Sequence, residues 1–264
     1  MQNLVTRSIS ALIYAILFIS ATLYSLASYN VLMAIFSAIC LWEFNKIIDL
    51  KNIIPFLILP LTIFYQKSFI SDKVIVFLLA VTLLCSIRII INLFSKEAVY
   101  PRNTYDKFDL SLRYIILPFL FLMQLPVVNE VYHPYIVIYI ILLIWTNDSF
   151  AYLIGKNFGK TKLFESVSPQ KTIEGFVGGF MFTLLVGCTI SYYSSLFSLI
   201  DWILLAIIIS IFGTLGDLAE SKFKRQANIK DSGTIMPGHG GLLDRLDSLF
   251  FLGPFVYLYI HFIM

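Results

Sequence analysis

Four polar residues in the C-terminal third lie at spacings that place their side chains on one face of a helix. Asp217, Glu220, Ser221 and Lys224 stand at i, i+3, i+4 and i+7 at the end of an otherwise apolar run. A polar face is costly against lipid, so we expect it to line a cavity. Carboxylate and phosphate oxygens are the ligands that magnesium prefers. The spacing therefore favours chemistry on a phosphate compound that is bound through a metal ion.

A glycine-rich segment and a second acidic pair follow this face. The segment contains Lys230-Asp231-Ser232-Gly233 and Pro237-Gly238-His239-Gly240-Gly241. Its glycines allow the backbone to approach a ligand closely. Asp244 and Asp247 then stand at i and i+3, on one face of a helix that opens the last apolar run. Carboxylates at two helix ends with basic residues between them suit phosphoryl-type transfer at a nucleotide, although a salt-bridge network that caps two helices would have the same composition.

An earlier polar cluster covers the end of one apolar run and the start of the next, in Trp145–Lys162 and Ser168–Gly179. Asp148 interrupts an apolar helix, where a carboxylate is costly unless it is paired, metal-bound or hydrated. The loop after it is rich in lysine and glycine, which suits a polyanion, but an ordinary cytoplasmic loop would look similar. Ser168-Pro169 before Lys171-Thr172 predicts a helix start there, with Glu174 in the first turn.

The elements that position these residues are membrane helices. Of the 264 residues, 59% are hydrophobic and 13% are charged, whereas soluble proteins average about 45–50% and roughly 25%. The apolar runs are too long for strands and do not alternate. We predict an all-α polytopic bundle of about nine transmembrane segments. These are Ser8–Ser28, Tyr29–Ile47, Ile53–Tyr65, Val74–Phe94, Leu110–Leu125, Pro134–Ile154, Thr172–Tyr193, Asp201–Phe212 with a helical continuation towards Phe223, and Leu246–Ile263.

The third segment is short and contains Pro55 and Pro60, so it is either kinked or does not span. We treat residues 1–264 as one integral membrane domain, with apolar N-terminal spans in 1–130 and a catalytic part in 131–264.

The basic residues predict the orientation. If loops are numbered from the N-terminal tail as zero, the odd loops hold only Lys67 and Lys73 of the 19 Lys and Arg residues, and Arg88 falls within a span. Positively charged loops stay in the cytoplasm. We therefore predict a cytoplasmic N-terminus, an odd number of spans and an external C-terminus. The charged loops 155–172 and 222–245 then face the cytoplasm, where nucleotides are found.

The motif Ser221–Arg225, Lys230–Gly233 and Pro237–Asp247 closely resembles the signature of the phosphatidate cytidylyltransferase (CDP-diacylglycerol synthase) family. Asn147–Gly179 is similar to a second block of that family. The N-terminal half is similar to the family only in being apolar, and Trp42-Glu43-Phe44 is a weak match to the family pattern. Two positions depart from the pattern: Met236 replaces another aliphatic residue, and Gln170 stands where lysine is common.

The resemblance implies the reaction CTP + phosphatidate → CDP-diacylglycerol + pyrophosphate. It implies Mg²⁺ as cofactor, with a monovalent cation such as K⁺ as an option, and Asp217, Asp244 and Asp247 as metal ligands. The residues expected to act in catalysis with Asp217 and Asp244 are Lys171, Lys224, Arg225, His239 and Arg245. The residues expected to bind substrate are Asp148, Lys160, Ser168, Ser221, Lys230, Asp231, Gly240 and Gly241.

The same resemblance implies CTP, phosphatidate and membrane lipid as binding partners, a homodimer as an option, and no nucleic acid. It points to a bacterial cytoplasmic membrane with the active site on the cytoplasmic side. Two alternatives stay open. A transporter of anionic substrates would also hold charges such as Arg88 and Asp148 within spans, but its binding groups would lie near the midplane. A membrane CTP-dependent lipid kinase would release CDP instead of pyrophosphate.

Overall fold

The computed structural model describes residues 2–63, 71–95, 101, 103–238 and 240–264, and 77% of the chain is helical. This confirms the predicted all-α class. The helices are α1 Gln2–Tyr24, α2 Leu26–Ile47, α3 Ile54–Ile63, α4 Asp72–Phe94, α5 Thr104–Leu110, α6 Leu117–Gln124, α7 Pro134–Phe158, α8 Ile173–Tyr193, α9 Leu199–Gln226 and α10 Leu243–Leu258. Two π-helical segments, Ser111–Ile116 and Tyr259–Ile263, join α5 to α6 and extend α10.

Six helices in the described part of the chain are long and apolar enough to cross a membrane: α2, α4, α7, α8, α9 and α10 with its π-helical extension. The protein is thus an integral membrane protein, but the predicted count of nine spans is not confirmed. Of the third predicted segment, Ile53–Tyr65, the described residues form α3, with Pro60 inside it, and the last two residues lie outside the described part. The fifth is divided by the π-helical segment, and the apolar helix found among the described residues of α1 is Ser8–Tyr24.

Two short antiparallel hairpins lie in the connections, outside the apolar runs that argued against strands. The first pairs β1 Val127–Val128 with β2 Val131–Tyr132, and the second pairs β3 Lys162–Phe164 with β4 Ser168–Thr172. The predicted helix start is confirmed in that α8 begins at Ile173 with Glu174 in its first turn, but Ser168–Thr172, which precedes it, forms β4. Thr172 is the true N-cap of α8, and its side chain accepts a hydrogen bond from the backbone N–H of Gly175.

The closest helix pair around the polar cluster is α7 with α8, because glycines let their backbones approach each other. A Cβ atom at Gly175 would lie 2.7 Å from the carbonyl oxygen of Ala151, and one at Gly179 would lie 2.6 Å from that of Asn147. Small residues serve this purpose in membrane helix packing, where lipid provides no hydrophobic drive. The predicted residue Asp148 thereby lies beside the start of α8.

A buried lysine joins the end of α4 to α9. Lys222 donates hydrogen bonds to the backbone carbonyls of Asn92 at 2.5 Å, Leu93 at 3.2 Å and Ser95 at 3.1 Å. Asn92 and Leu93 lie in the last turn of α4, where carbonyls lack donors from within the helix, and Ser95 follows the helix as its C-cap. Lys222, which the sequence presents as an ordinary loop charge, is therefore a helix cap supplied by another helix.

Candidate active site

A cavity of about 1330 Å³ lies between α1, α7, α8, α9 and α10, with β3 and β4 at one side. The lining includes charged side chains from five of these elements, namely α7, α9, α10, β3 and β4. It also includes apolar side chains of α1, α7 and α10, namely Ala11, Leu12, Ala15, Ile141, Ile144, Trp145, Leu246 and Leu249. The cavity can therefore hold a ligand with an anionic group and a long apolar portion.

Lys171 is the central basic residue among the charged side chains that line the cavity. Its ammonium lies 2.6 Å from Oδ2 of Asp217, and Ser221 donates to the other carboxylate oxygen at 3.2 Å. Burial alone would lower the pKa of Lys171, but Asp217, followed by Asp148 and Asp247, more than offsets this and raises the pKa. Three carboxylates from α7, α9 and α10 thus act on one positive charge that is held by β4.

Lys224 joins the C-terminal end of α9 to the first turn of α10. Its ammonium lies 2.5 Å from Oε2 of Glu220 and 2.5 Å from Oδ1 of Asp244. Asp244 also accepts the backbone N–H of Gly241 at 2.8 Å and that of Ser232 at 3.0 Å. The predicted acidic and basic residues of the two motifs are therefore joined in one network around the helix ends.

The glycine-rich segment folds back on this network. The backbone N–H of Met236 donates to the carbonyl of Gly240 at 2.9 Å and closes a turn. Gly240 has a φ of +90°, and a Cβ there would lie 2.5 Å from Oδ2 of Asp244. Glycine is required at this position because it allows both the backbone conformation and the close approach. His239, for which we predicted a catalytic role, lies outside the described residues.

The structure brings most of the predicted site residues to the cavity wall, and the following line it: Asp148, Ser168, Lys171, Asp217, Lys224, Asp231, Asp244, Arg245 and Asp247. Ser221 is buried behind Asp217. Gly241 is buried beside Asp244.

Three predicted basic residues are placed elsewhere. Arg225 is exposed and donates to the carbonyl of Ile229 at 3.0 Å, so it closes the end of α9. Lys160 and Lys230 are exposed and do not line the cavity. Arg225 lies about 100° around the axis of α9 from its neighbour Lys224, which carries its side chain to one side of the cavity-lining Lys224.

Sequence reasoning missed two contributions from the N-terminal half. Residues of α1, including Tyr14, form one wall of the cavity, although an apolar helix carries no sign of this in its sequence. Glu43 on α2 is fully buried and contacts the glycine-rich segment. The sequence did contain a sign that Glu43 is functional, since it is a carboxylate within an apolar run and part of the weak family match Trp42-Glu43-Phe44.

The carboxylates suit a divalent cation. Their oxygens are the donors that Mg²⁺ prefers, and three of them, from Asp148, Asp217 and Asp247, already act on the charge of Lys171. With the lysines paired in this way, the described residues include no group of three His, Cys, Asp or Glu side chains arranged to hold a metal. A bound cation would therefore share these carboxylates with the ammonium groups.

Comparison with known proteins connects this geometry to a family. The sequence model of the cytidylyltransferase family matches residues 5–263. The chain belongs to this family. Its members include the phosphatidate cytidylyltransferase of Bacillus subtilis (strain 168), which is 32% identical over 97% of both chains. The phosphatidate cytidylyltransferase of Staphylococcus aureus (strain COL) is 43% identical over 59% of this chain and 61% of its own.

A third relative with this name, from Staphylococcus haemolyticus (strain JCSC1435), is 50% identical over 45% of this chain and 46% of its own. The cytidylyltransferase family model extends well beyond the two motifs and includes the apolar N-terminal half. The family resemblance that the motifs predicted is therefore confirmed.

Proposed function

We propose that the protein is a phosphatidate cytidylyltransferase, a CTP-dependent nucleotidyltransferase of phospholipid biosynthesis. The observation that carries this proposal is the mixed lining of the cavity, because one space presents lysines and carboxylates together with apolar side chains of α1, α7 and α10. CTP and the phosphate of phosphatidate would contact the charged side chains, and an acyl chain would contact the apolar ones. The match to the cytidylyltransferase family supports the same activity.

In the proposed reaction a phosphate oxygen of phosphatidate attacks the α-phosphorus of CTP. The new P–O bond forms as the bond between the α-phosphorus and the bridging oxygen breaks, and pyrophosphate leaves with the electron pair. An ionised phosphate needs little help from a general base, so we assign none. Lys171 and Arg245 line the cavity and would offset the charge that builds up on the phosphate oxygens.

We propose Asp217, Asp244 and Asp247 as the residues that would hold Mg²⁺. When bound, the ion would neutralise phosphate charge and orient the phosphates. Lys224 is shared by Glu220 and Asp244, so we assign it the role of holding α9 and α10 together at the site. Ser221 would orient Asp217, and Asp231 and Ser168, at the cavity wall, would contact substrate.

We further propose nine crossings with a cytoplasmic N-terminus. Three contacts between helix ends support this proposal: Glu43 near the end of α2 meets the start of α10, Lys222 near the end of α9 meets the end of α4, and Lys224 meets Asp244. The helices α2 and α4 therefore run in the same direction. The chain between them must return across the bilayer, and α3 is the described helix in that stretch.

Contacts at the two ends of α1 and of the α5–α6 unit support the same topology. Ser10 of α1 donates to the carbonyl of Pro237, whereas Tyr132 after α6 donates to the carbonyl of Thr22 near the other end of α1. Lys107 of α5 donates to the carbonyl of Asp49 after α2. With the basic loops on the cytoplasmic side, the charged side chains of the cavity face the cytoplasm of a bacterial cell. A homodimer is compatible with this arrangement.

The test is product analysis with purified protein. Radiolabelled CTP is incubated with phosphatidate vesicles and Mg²⁺, and we expect CDP-diacylglycerol and pyrophosphate in equal amounts. The lipid-kinase alternative would give CDP and a phosphorylated lipid instead. A transporter would give no turnover. Neither alternative is favoured by the family match, and the charges lie at helix ends, whereas transporter sites lie at the midplane.

A further inference from the structure

We infer that Glu43 is a positioning residue for the catalytic carboxylates of α10, supplied by a helix in the N-terminal half. The inference rests on the proposed function, because it concerns the site where CTP and the cation would bind. Glu43 is on α2, remote in sequence from both motifs, and its side chain is fully buried. Its contacts lie in the segment that leads into α10.

The carboxylate of Glu43 caps α10. Oε1 accepts the backbone N–H of Leu242 at 3.2 Å, and Oε2 accepts that of Leu243 at 2.7 Å. The N-cap residue of α10 is Leu242, whose side chain provides no cap hydrogen bond. The free N–H groups of a helix start require acceptors and favour a negative charge. Glu43 therefore supplies from α2 what the local sequence of α10 lacks.

The same carboxylate also holds the glycine-rich segment. The hydroxyl of Ser232 donates to Oε2 of Glu43 at 3.3 Å, while the backbone N–H of Ser232 donates to Asp244. Gly241 lies directly against the Glu43 carboxylate, where a Cβ would come within 2.6 Å of both oxygens. Ser232 is thus held by both carboxylates at once, and a side chain at Gly241 is excluded because the Ser232 hydroxyl and the Glu43 carboxylate fill the space.

The geometry points to a direct consequence for the site. Asp244 is one residue after Leu243 and accepts hydrogen bonds from Gly241 and Ser232, which are the residues that Glu43 contacts or borders. If Glu43 is changed, the first turn of α10 loses its acceptors and Asp244 loses its fixed direction. Asp247, one turn further on α10, moves with it. Glu43 itself does not line the cavity, so its effect passes through the backbone of this segment.

Two variants test this inference in the full-length protein. Glu43→Gln keeps the size of the side chain, but either amide orientation turns an NH₂ group towards a backbone N–H. Glu43→Asp keeps the charge but is one methylene shorter and cannot reach both amides. Asn45→Ala is the matched control, because Asn45 is a buried polar residue on the same helix whose partner is Ser111, away from the cavity.

The first readout is backbone hydrogen exchange in detergent, without CTP or metal. We expect peptides that cover residues 230–243 to exchange faster in Glu43→Gln and Glu43→Asp than in wild type, with α7 and α8 unchanged. Asn45→Ala should exchange in this segment as wild type does. Wild-type exchange rates in this segment in both Glu43 variants would overturn the inference, as would an equal increase throughout the protein.

The second readout is Mn²⁺ binding in the presence of CTP, followed by the electron paramagnetic resonance of free Mn²⁺. We expect binding to weaken by about 10–100-fold in Glu43→Gln and by less in Glu43→Asp, as found for residues that orient metal ligands. The KM for phosphatidate should stay near the wild-type value. Unchanged Mn²⁺ affinity in the folded variants, or no Mn²⁺ binding by wild type with CTP, would overturn the inference.

Failure of the proposed function would be seen separately. Wild-type protein that binds Mn²⁺ and CTP but releases no pyrophosphate would remove the assigned reaction and leave the role of Glu43 intact. Active wild-type protein with Glu43 variants that match it in exchange and Mn²⁺ binding would leave the reaction and remove the role of Glu43.

Discussion

At the scale of single residues, the site depends on positive charges that are held among carboxylates. Lys171 from β4 is paired with Asp217 of α9, and Lys224 is paired with Glu220 and Asp244. The pairs of Lys224 are buried and that of Lys171 is half-buried. They keep these charges compensated while no substrate is bound, since an unpaired buried charge would destabilise the fold. Triphosphate oxygens would then replace carboxylate oxygens as partners of Lys171.

The role of Lys171 gives a first prediction. Lys171→Gln should lower kcat by about 10²–10³-fold, the usual cost of removing one group that stabilises transition-state charge. Steady-state assays of pyrophosphate release would measure it. Lys73→Gln is the control, because Lys73 is an exposed lysine in the first turn of α4. Near-wild-type kcat in Lys171→Gln would contradict the assignment of Lys171 to the phosphates.

Residue types and spacing were enough to predict the acidic network, because helical periodicity determines which side chains share a face. Asp217, Lys224, Asp244 and Asp247 line the cavity as this pattern predicts, whereas Glu220 and Ser221 of the same predicted face are buried and do not line it. Long-range contacts were not predictable in this way. Glu43 meets Leu243 across the bundle, and only the packing of α2 against α10 brings the two residues together.

At the scale of elements, α1 has a role that its sequence does not reveal. One face of this apolar helix lines the cavity through Ala11 and Ala15. The opposite face carries Ile13, which is 61% exposed and does not line the cavity. Small residues on the cavity face leave space beside the apolar residues of α7. We expect this face of α1 to contact an acyl chain of the lipid substrate.

A larger side chain on this face should obstruct the lipid selectively. Ala15→Phe should raise the KM for phosphatidate by about tenfold, which corresponds to a typical overpacking cost of about 1.4 kcal/mol. The KM for CTP should change little. Ile13→Phe is the matched control on the lipid-facing side of the same helix and should behave as wild type. Equal changes in both KM values for Ala15→Phe would contradict an acyl-chain site there.

The cap that α9 supplies to α4 makes a prediction about stability. Lys222→Met removes the donor to three carbonyls at the end of α4, which should lower the free energy of unfolding by about 1.5–3 kcal/mol. Thermal or denaturant unfolding in detergent would measure it, with Lys73→Met as the control. The kcat of the remaining folded protein should be unchanged. Unaltered stability would show that the cap contributes nothing.

At the scale of the whole molecule, composition predicted a helical membrane protein, but apolar length alone did not determine the spans. Among the described residues, length and apolar character support six helices, since α3 has ten described residues and a π-helical segment interrupts α5–α6. The two hairpins also escaped prediction, because strands of two to five residues carry too little periodicity to detect. The directions of the helices across the membrane have to be inferred from the contacts between helix ends.

The proposed topology predicts which side of the membrane each connection occupies. In a variant without the three free cysteines, Ser195→Cys between α8 and α9 should react with an impermeant thiol reagent only from outside the cell. Asn157→Cys near the end of α7 should react only in inverted vesicles. Both residues are exposed in the structure. Labelling of both from the same side would contradict the nine-crossing topology.

The central claim is that the acidic cavity transfers the cytidylyl group of CTP to phosphatidate. Pyrophosphate release from CTP by detergent-purified protein tests it most directly, with and without phosphatidate and Mg²⁺, in wild type and in Asp244→Asn. The account predicts release that requires both the lipid and the metal and is lost in Asp244→Asn. Folded wild-type protein that releases no pyrophosphate under any of these conditions would contradict it.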